Sequence, residues 1–395
     1  MNGKIFGAAL SVLKTSFFPE KPCRLPELTT DEWYALFNEL KVQSVPCLVN
    51  PVLDMLPMPQ ELRAEWEKFI LGNAGSFVNY IYVQNELVTL MKQNGFNFVI
   101  IKGAALAQYY PCPELRLMGD IDLLLPEKDF SAGEKLLAEN GYKQRSYYNG
   151  RHTEYKKDGV MLELHSRFGP ARKNRDIPTE FEPYFESEIN SASAACILGY
   201  DFPVFSETAN GISMLSHIAQ HMPGGLGLRH IADWLMFANR HRGDGFFEGG
   251  FIATAERFGL GPLLNVITKT CCMYLGLDIT DFGWCSGTRD GLCEAFINHI
   301  EESGNFGRKR DDGDSMKNLL TKRRGFFNII KHLQRDGTDR IAAVSKHRFL
   351  RPFAWLFMLC HYIKSLLKHK VTPEKIAKAR EKSKEKQELF KSLNI

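Results

Sequence analysis

Two acidic residues separated by one apolar residue stand at the start of a short apolar run, "DIDLLLP", which begins at Asp120. In an extended strand, residues i and i+2 point to the same side, so the carboxylates of Asp120 and Asp122 are predicted to project together. Two negative charges so near each other repel, and a divalent cation between them removes this repulsion. The pattern therefore predicts a Mg²⁺ site, since Mg²⁺ binds through one or two carboxylates together with substrate phosphates.

A third acid is predicted in the later segment "MLELHSRF", where Glu163 would lie on a neighbouring strand. Glu163 would complete a metal triad with the two aspartates, or act as the base that takes a proton from an attacking hydroxyl. His165 and Arg167 share its predicted face of the strand. Each of them would either contact a substrate phosphate or simply lie on the surface.

The apolar run before the acids, "FVIIKGAAL", ends in a lysine and a glycine. Gly103 would open a helix, where backbone N–H groups can approach a phosphate closely. Lys102 and Arg116 would add positive charge for a triphosphate that the acids otherwise repel. One half of the motif is therefore predicted to hold phosphates, and the other half to hold the metal.

The segment "IKGAALAQYYPCPELRLMGDIDLLLP" resembles the signature of the uncharacterised nucleotidyltransferase family within the DNA polymerase β-like superfamily. Members carry a Lys-Gly, an Arg and an Asp-h-Asp-h-Leu strand, h being apolar. The segment is similar also to nucleotidyltransferase-like toxins of the abortive-infection type. The resemblance is strong over about residues 95–170 and weaker through "LSHIAQHMPGGLGLRHIADWLMF". The superfamily usually has Gly-Ser where this chain has Gly103 and Ala104, and its third acid is usually Asp where this chain has Glu163.

The resemblance implies an α+β fold, in which a nucleotidyltransferase-like mixed sheet module is flanked by N-terminal and C-terminal helical regions. It implies an enzyme that uses two Mg²⁺ ions to move a nucleoside monophosphate from an NTP, expected to be ATP, to an acceptor. The acceptor is open between a small molecule, a protein side chain and an RNA end. The missing serine keeps a second hypothesis open, a catalytically inactive nucleotide-binding or regulatory protein of the same fold. Peripheral membrane binding through the late apolar run and the basic tail is a further alternative. The implied catalytic and metal-binding residues are Asp120, Asp122 and Glu163, and the implied substrate-binding residues are Lys102, Gly103, Ala104, Arg116, His165 and Arg167.

The elements that must position these residues change in type along the chain. Residues 1–95 show apolar positions at helical spacing, with Thr30 or Asp31 as a predicted cap and Gly95 as a stop. Residues 96–205 alternate strand, helix, strand and helix before a hairpin that turns at Lys-Asp-Gly, which indicates a compact α/β module. Residues 206–395 are predicted to be mostly helical and to end in a basic tail.

Composition indicates a soluble, folded protein, because 44% of residues are hydrophobic and 24% are charged. Nine scattered cysteines without a metal-binding spacing favour a reducing cytoplasm. The late apolar run "FLRPFAWLFMLCHYIKSLL" is interrupted by Arg351, Pro352, His361 and Lys364, so it predicts a buried or surface-lying helix and no integral membrane span. Residues 364–395 carry an excess of six positive charges, typical of a solvated helix face or of binding to nucleic acid or anionic lipid.

Two histidines, His217 and His221, stand four residues apart on a predicted helix, a spacing that can bind zinc. Packed core histidines are the alternative. A further interpretation places them with Arg229 and Asp233 in the cleft that faces the acids. Arg229 and Asp233 would otherwise pair with each other across one helical turn.

Overall fold

The computed structural model of the protein divides into two compact units, residues 1–306 with 393–395 and residues 307–392. The first unit contains all of the residues predicted to do chemistry. The division into three parts made from the sequence remains a prediction. The structure describes residues 2–21, 27–146, 152–168, 178–309, 330, 331, 333, 334, 337, 352–368 and 373–395.

Helices form the N-terminal part of the first unit, as predicted. Thr29 caps the second helix, so the predicted cap at Thr30 or Asp31 is wrong by one or two residues. Thr29 and Glu32 close a capping box, in which each side chain accepts a hydrogen bond from the other residue's backbone N–H. The third helix runs for 34 residues and is followed by Gly95, whose φ is 73°. The helices are α1 (Asn2–Phe17), α2 (Thr30–Val42) and α3 (Gln60–Gln93), with a 3₁₀ segment at Pro46–Met55.

The central part of the first unit is a mixed sheet, as predicted. Its described strands are β1 (Val99–Ile101), β2 (Ile121–Leu124), β3 (Lys143–Gln144), β4 (His152–Lys157) and β5 (Val160–His165). They are ordered β1-β2-β5-β4-β3 across the sheet. Strand β2 runs antiparallel to β1 and parallel to β5, while β4 runs antiparallel to both β5 and β3. Strand β2, which begins directly after Asp120, is therefore hydrogen-bonded on both sides.

The predicted Lys-Asp-Gly hairpin joins β4 to β5. Asp158 and Gly159 form its turn, with φ values of 49° and 82°. Positive φ at both central residues is the geometry of a type I′ turn, whose twist matches that of the flanking strands. The turn sets a register in which His152 lies opposite His165 and Glu154 lies opposite Glu163.

One face of the sheet is buried against the helices α3 and α5 (Phe130–Glu139). Ile100, Leu123 and Leu162 belong to this core, together with Leu87 of α3 and Leu137 of α5. Because side chains alternate along a strand, the residues between these positions face the opposite side of the sheet. That opposite side is where the acids lie.

A second, two-stranded sheet was not predicted. It follows α6 (Phe181–Asn190) and consists of β6 (Ser193–Ile197) and β7 (Tyr200–Val204), which run antiparallel. Leu198 and Gly199 form its turn with φ values of 51° and 79°, so this is again a turn with two positive φ angles. Ile197 and Phe202 join the same core as the first sheet.

Helices continue from residue 207, as predicted. Asn210 of α7 donates a hydrogen bond to the backbone of Ala105, which joins this helical part to the sheet module. Among the described residues, no helix is both long and apolar enough to cross a membrane. The helices of the first unit are α7 (Glu207–His221), α8 (Leu228–Arg240), α9 (Ile252–Arg257), α10 (Gly261–Leu275) and α11 (Asp290–Ser303); the second unit contains α12 (Ala354–Lys368) and α13 (Pro373–Ser392).

Candidate active site

The sheet register brings two of the three predicted acids side by side. Asp122 of β2 is paired with Glu163 of the parallel strand β5, and with Ile101 of β1 on its other side. Asp120 immediately precedes β2. The charges of Asp122 and Glu163 both raise the pKa of Asp120, which indicates that the three carboxylates share one environment.

Asp122 is almost fully buried and is held by two cationic or polar groups. Its Oδ1 lies 2.5 Å from Nζ of Lys102 and 2.9 Å from Nε2 of His165. Burial by itself raises the pKa of Asp122, but the charge of Lys102 and the contact with His165 outweigh it and hold the pKa below 3.8. The second oxygen, Oδ2, is buried and has no hydrogen-bond partner among the described residues.

Asp120 is the acid whose protonation is most perturbed. Repulsion from Asp122 and, next, burial raise its pKa from 3.8 to about 7; Glu163 adds to the rise, while Lys102 and Arg229 oppose it. Without a further cation, the folded protein therefore holds a proton on Asp120 up to near-neutral pH. A carboxyl group with a raised pKa, next to a buried carboxylate oxygen that has no hydrogen-bond partner, forms a site where a divalent cation is stabilising. The residues present therefore fit the predicted metal.

The Lys-Gly pair forms a sharp turn between β1 and the short helix α4 (Gly103–Ala107). Lys102 has a φ of 55° and Gly103 a φ of 25°, a region where side chains with a Cβ are strained. A Cβ on Gly103 would lie 3.2 Å from Cε of Met118 and 3.5 Å from the backbone oxygen of Asp120. Glycine therefore lets this turn approach the segment that carries the acids. Ala104 is fully buried at the start of α4.

The other predicted cations have partners of their own. Arg116 makes a buried, two-pronged ion pair with Asp233 of α8, with Nε–Oδ1 at 2.7 Å and Nη2–Oδ2 at 2.9 Å. Arg167 pairs on the surface with Glu127 at 2.7 Å. Among the described residues, Asp233 accepts its hydrogen bonds from Arg116 and from the hydroxyl of Tyr110, and it forms no ion pair with Arg229 across one helical turn.

His165 is buried between two acids. Besides its contact with Asp122, its Nε2 lies 3.1 Å from Oε2 of Glu163. His152, which was not singled out in the sequence, lies across from it on β4, and the two imidazole rings are 5.1 Å apart. The only sequence signal for His152 is its place in the first strand of the predicted hairpin, and that signal requires the register of the hairpin to be known.

The helical part contributes two further groups near the acids. The charge of Arg229 lowers the pKa of Asp120. Burial is the main cause that lowers the pKa of His217, and the charge of Lys102 lowers it further. His217 packs against His221 and His230, with ring centroids 4.3 Å and 5.6 Å away. Burial lowers the pKa of His230 well below 6.5, so this histidine is neutral at physiological pH. The arrangement agrees with the interpretation that α7 and α8 face the acids.

The mixed sheet with paired acids and a preceding Lys-Gly turn defines the protein as one of the nucleotidyltransferase fold. A model of the uncharacterised nucleotidyltransferase family matches residues 29–276. The chain belongs to that family.

Solved structures with a similar fold include ANT(2″)-Ia in complex with adenylyl-2″-tobramycin, with 14% identity and a TM-score of 0.34 over 46% of this chain and 99% of that chain. A solution structure of the antibiotic-resistance factor ANT(2″)-Ia has 14% identity and a TM-score of 0.33, covering 46% and 93%. A nucleotidyltransferase-like protein from Paracoccidioides brasiliensis has 14% identity and a TM-score of 0.30, covering 45% and 87%. No match was found among curated proteins.

Proposed function

We propose that the protein transfers a nucleoside monophosphate from an NTP, with ATP as the first candidate, to an acceptor group and releases pyrophosphate. Asp120 and Asp122 hold Mg²⁺ in this proposal, and Glu163 completes the site or accepts the proton of the attacking group. Bound Mg²⁺ would neutralise negative charge on the triphosphate oxygens. Membership of the family and the nucleotidyltransferase fold support transfer of this kind in general.

The observation that carries the proposal is the register of three strands. It sets Asp122 beside Glu163 and puts Lys102 directly after the strand on the other side. Acidic and basic groups are thereby concentrated on the face of the sheet opposite the core that packs against α3 and α5. Such a site can bind an anionic substrate through Lys102 and a cation through the carboxylates.

The chain's own groups have distinct tasks in the proposed reaction. Lys102 binds phosphate oxygens, and the turn at Gly103 and Ala104 presents backbone N–H groups to them. Glu163, which is partly exposed, is accessible to an acceptor hydroxyl and takes its proton. The sequence-based expectation that Arg116, His165 and Arg167 contact the triphosphate also remains part of the proposal.

Pyrophosphate release from each of the four NTPs in the presence of Mg²⁺ tests the proposal. Asp122→Asn keeps the size of the side chain and removes its charge, so we expect release to fall at least ~100-fold, as for the loss of a group that organises charge in a transition state. Asp201→Asn, an exposed acid on β7, is the matched control and should retain full activity. Circular dichroism shows whether each variant is folded. Equal release by the wild type and a folded Asp122→Asn variant would refute the assignment.

The acceptor is addressed by the same assay. Bacterial cell extract is added either untreated, after protease or after RNase, and incorporation of α-labelled nucleotide is followed. Loss of incorporation after protease indicates a protein acceptor, and loss after RNase indicates RNA. Retention after both treatments indicates a small molecule.

A second candidate function is nucleotide binding without turnover. The contacts of Lys102 and His165 with Asp122 favour it, because both occupy Oδ1 of the carboxylate that a metal would use. Ala104 also lacks the hydroxyl found in the usual Gly-Ser pair. A thermal shift with ATP and Mg²⁺ but no pyrophosphate release would support this function.

Peripheral membrane binding is a further candidate, favoured by three exposed apolar side chains at helical spacing in the second unit, Phe353, Leu356 and Phe357. Sedimentation with anionic vesicles tests it.

A further inference from the structure

Two histidines and a glutamate meet on the face of the sheet that carries the acids. The hairpin register sets His152 of β4 opposite His165 of β5. Glu163 is two residues before His165 on the same strand, so its side chain points to the same side. The type I′ turn at Asp158 and Gly159 determines this register, so the three residues are brought together by the fold of the hairpin itself.

The donor atoms of these three side chains are close enough to share one ion. Nε2 of His165 is 3.1 Å from Oε2 of Glu163, and Nε2 of His152 is 4.0 Å from Oε1 of the same carboxylate. One ligand atom from each residue lies within 4.8 Å of both others. Ligands about 2.0–2.1 Å from a tetrahedral zinc ion are roughly 3.4 Å apart, so the site needs only a small contraction.

The donor types determine which ion fits. Mg²⁺ prefers an all-oxygen shell, whereas imidazole nitrogens favour first-row transition ions such as Zn²⁺, Fe²⁺ and Co²⁺. Two imidazoles and one carboxylate also leave open positions for water or substrate. The group shares Glu163 with the predicted magnesium site but differs from it in its two imidazole donors, and Lys102 holds Asp122 while His152, Glu163 and His165 lie beside one another.

We infer that His152, Glu163 and His165 bind one divalent first-row transition ion at the edge of the nucleotidyltransferase-type site. Binding releases Nε2 of His165 from Asp122, which keeps its ion pair with Lys102. The inference goes beyond nucleotide transfer and stands without it, since the ion binds to the protein alone.

The test is a titration with Co²⁺ of the purified full chain, from which metal has first been removed with EDTA. No nucleotide is present, and the visible d–d absorption of the bound Co²⁺ measures binding. His152→Gln and Glu163→Gln each remove one ligand, and both side chains are partly exposed, so these variants are expected to fold; circular dichroism checks this. Each should weaken Co²⁺ binding at least ~10-fold, since even loss of a group behind a metal ligand costs 10–100-fold.

His241→Gln is the matched control. His241 also lies between two carboxylates, but it faces Glu207 through Nε2 and Asp244 through Nδ1, so these groups do not converge on one point. This variant should retain the Co²⁺ spectrum and affinity of the wild type. The comparison among the variants also separates the site from binding by cysteine thiols elsewhere in the chain.

Competition with Mg²⁺ provides the second readout. Excess Mg²⁺ should leave bound Co²⁺ in place if imidazoles ligate it, and should displace it from an all-oxygen site. The inference is overturned by any of three results: no Co²⁺ absorption, equal absorption in wild type and folded His152→Gln, or displacement of Co²⁺ by Mg²⁺ at similar concentration. Activity as a nucleotidyltransferase bears on none of these results.

Discussion

Replacement of Asp233 by asparagine should destabilise the protein by about 3–5 kcal/mol, the usual cost of removing one partner of a buried ion pair. Asp233 accepts two hydrogen bonds from Arg116 and one, of 2.8 Å, from the hydroxyl of Tyr110. The side chains of the ion pair are only 5% and 6% exposed. Asparagine keeps one acceptor oxygen but turns an N–H donor toward a guanidinium that only donates. Arg116 is then left buried without its counter-charge.

The converse substitution, Arg116→Met, should cost less. Asp233 retains the hydrogen bond from Tyr110 and the favourable charge of Arg229. In Asp233→Asn, by contrast, both arginines lose the same acid. Burial by itself lowers the pKa of Arg116 and Asp233 raises it, with a net rise, so the guanidinium stays charged in the wild type.

Urea denaturation of the full chain, followed by far-UV circular dichroism, measures both variants and the double variant Arg116→Met/Asp233→Leu. The double variant should be more stable than Asp233→Asn, because no unpaired charge of this ion pair remains buried. A cost below about 1 kcal/mol for Asp233→Asn, a value typical of exposed pairs, would refute this reasoning. Unchanged stability of Arg116→Met with a raised KM for NTP would instead identify Arg116 as the phosphate ligand predicted from the sequence.

Two further predictions concern other parts of the first unit. His241→Gln should reduce the dependence of Tm on pH above about pH 6.5: burial lowers the pKa of His241, but Glu207 and Asp244 raise it above 6.5, so its contribution to stability is full well below pH 6.5 and is lost as pH rises through the folded pKa. An unchanged slope of Tm against pH would contradict this. Thr29→Ala should lower the free energy of unfolding by about 0.5–2 kcal/mol, because the capping box with Glu32 is lost; a urea midpoint equal to that of the wild type would count against it.

Local patterns in the sequence were sufficient to predict the elements that carry the acids. The alternation in "DIDLLLP" predicts a strand with both aspartates on one side; the strand is found at Ile121–Leu124, so it includes Asp122 but begins one residue after Asp120. The Lys-Asp-Gly turn predicts the hairpin that carries Glu163, and the turn has the required positive φ angles at Asp158 and Gly159. Both predictions depend on residues within a few positions of one another, where backbone sterics and side-chain alternation decide the structure.

Contacts between distant segments were not predictable in this way. The partner of Arg116 is 117 residues away in sequence, on a helix whose packing against the sheet depends on the whole first unit. The helical spacing of Arg229 and Asp233 suggested a local pair instead. His152 gained significance only through the register that sets it opposite His165. The pairing of β2 with both β1 and β5 likewise follows from tertiary packing, because periodicity identifies a strand but not its neighbours.

The ion pair between Lys102 and Asp122 links the two halves of the motif. Phosphate oxygens of a triphosphate would compete with Asp122 for the positive charge of Lys102, whose ammonium group lies 2.5 Å from that carboxylate. In the protein alone, Lys102 and His165 keep Asp122 ionised although its side chain is only 1% exposed. Under the proposed function, the triphosphate draws Lys102 away and leaves Asp122 to the cation. Nucleotide and Mg²⁺ binding should therefore favour each other, and by thermodynamic linkage each should strengthen the other's affinity by the same factor.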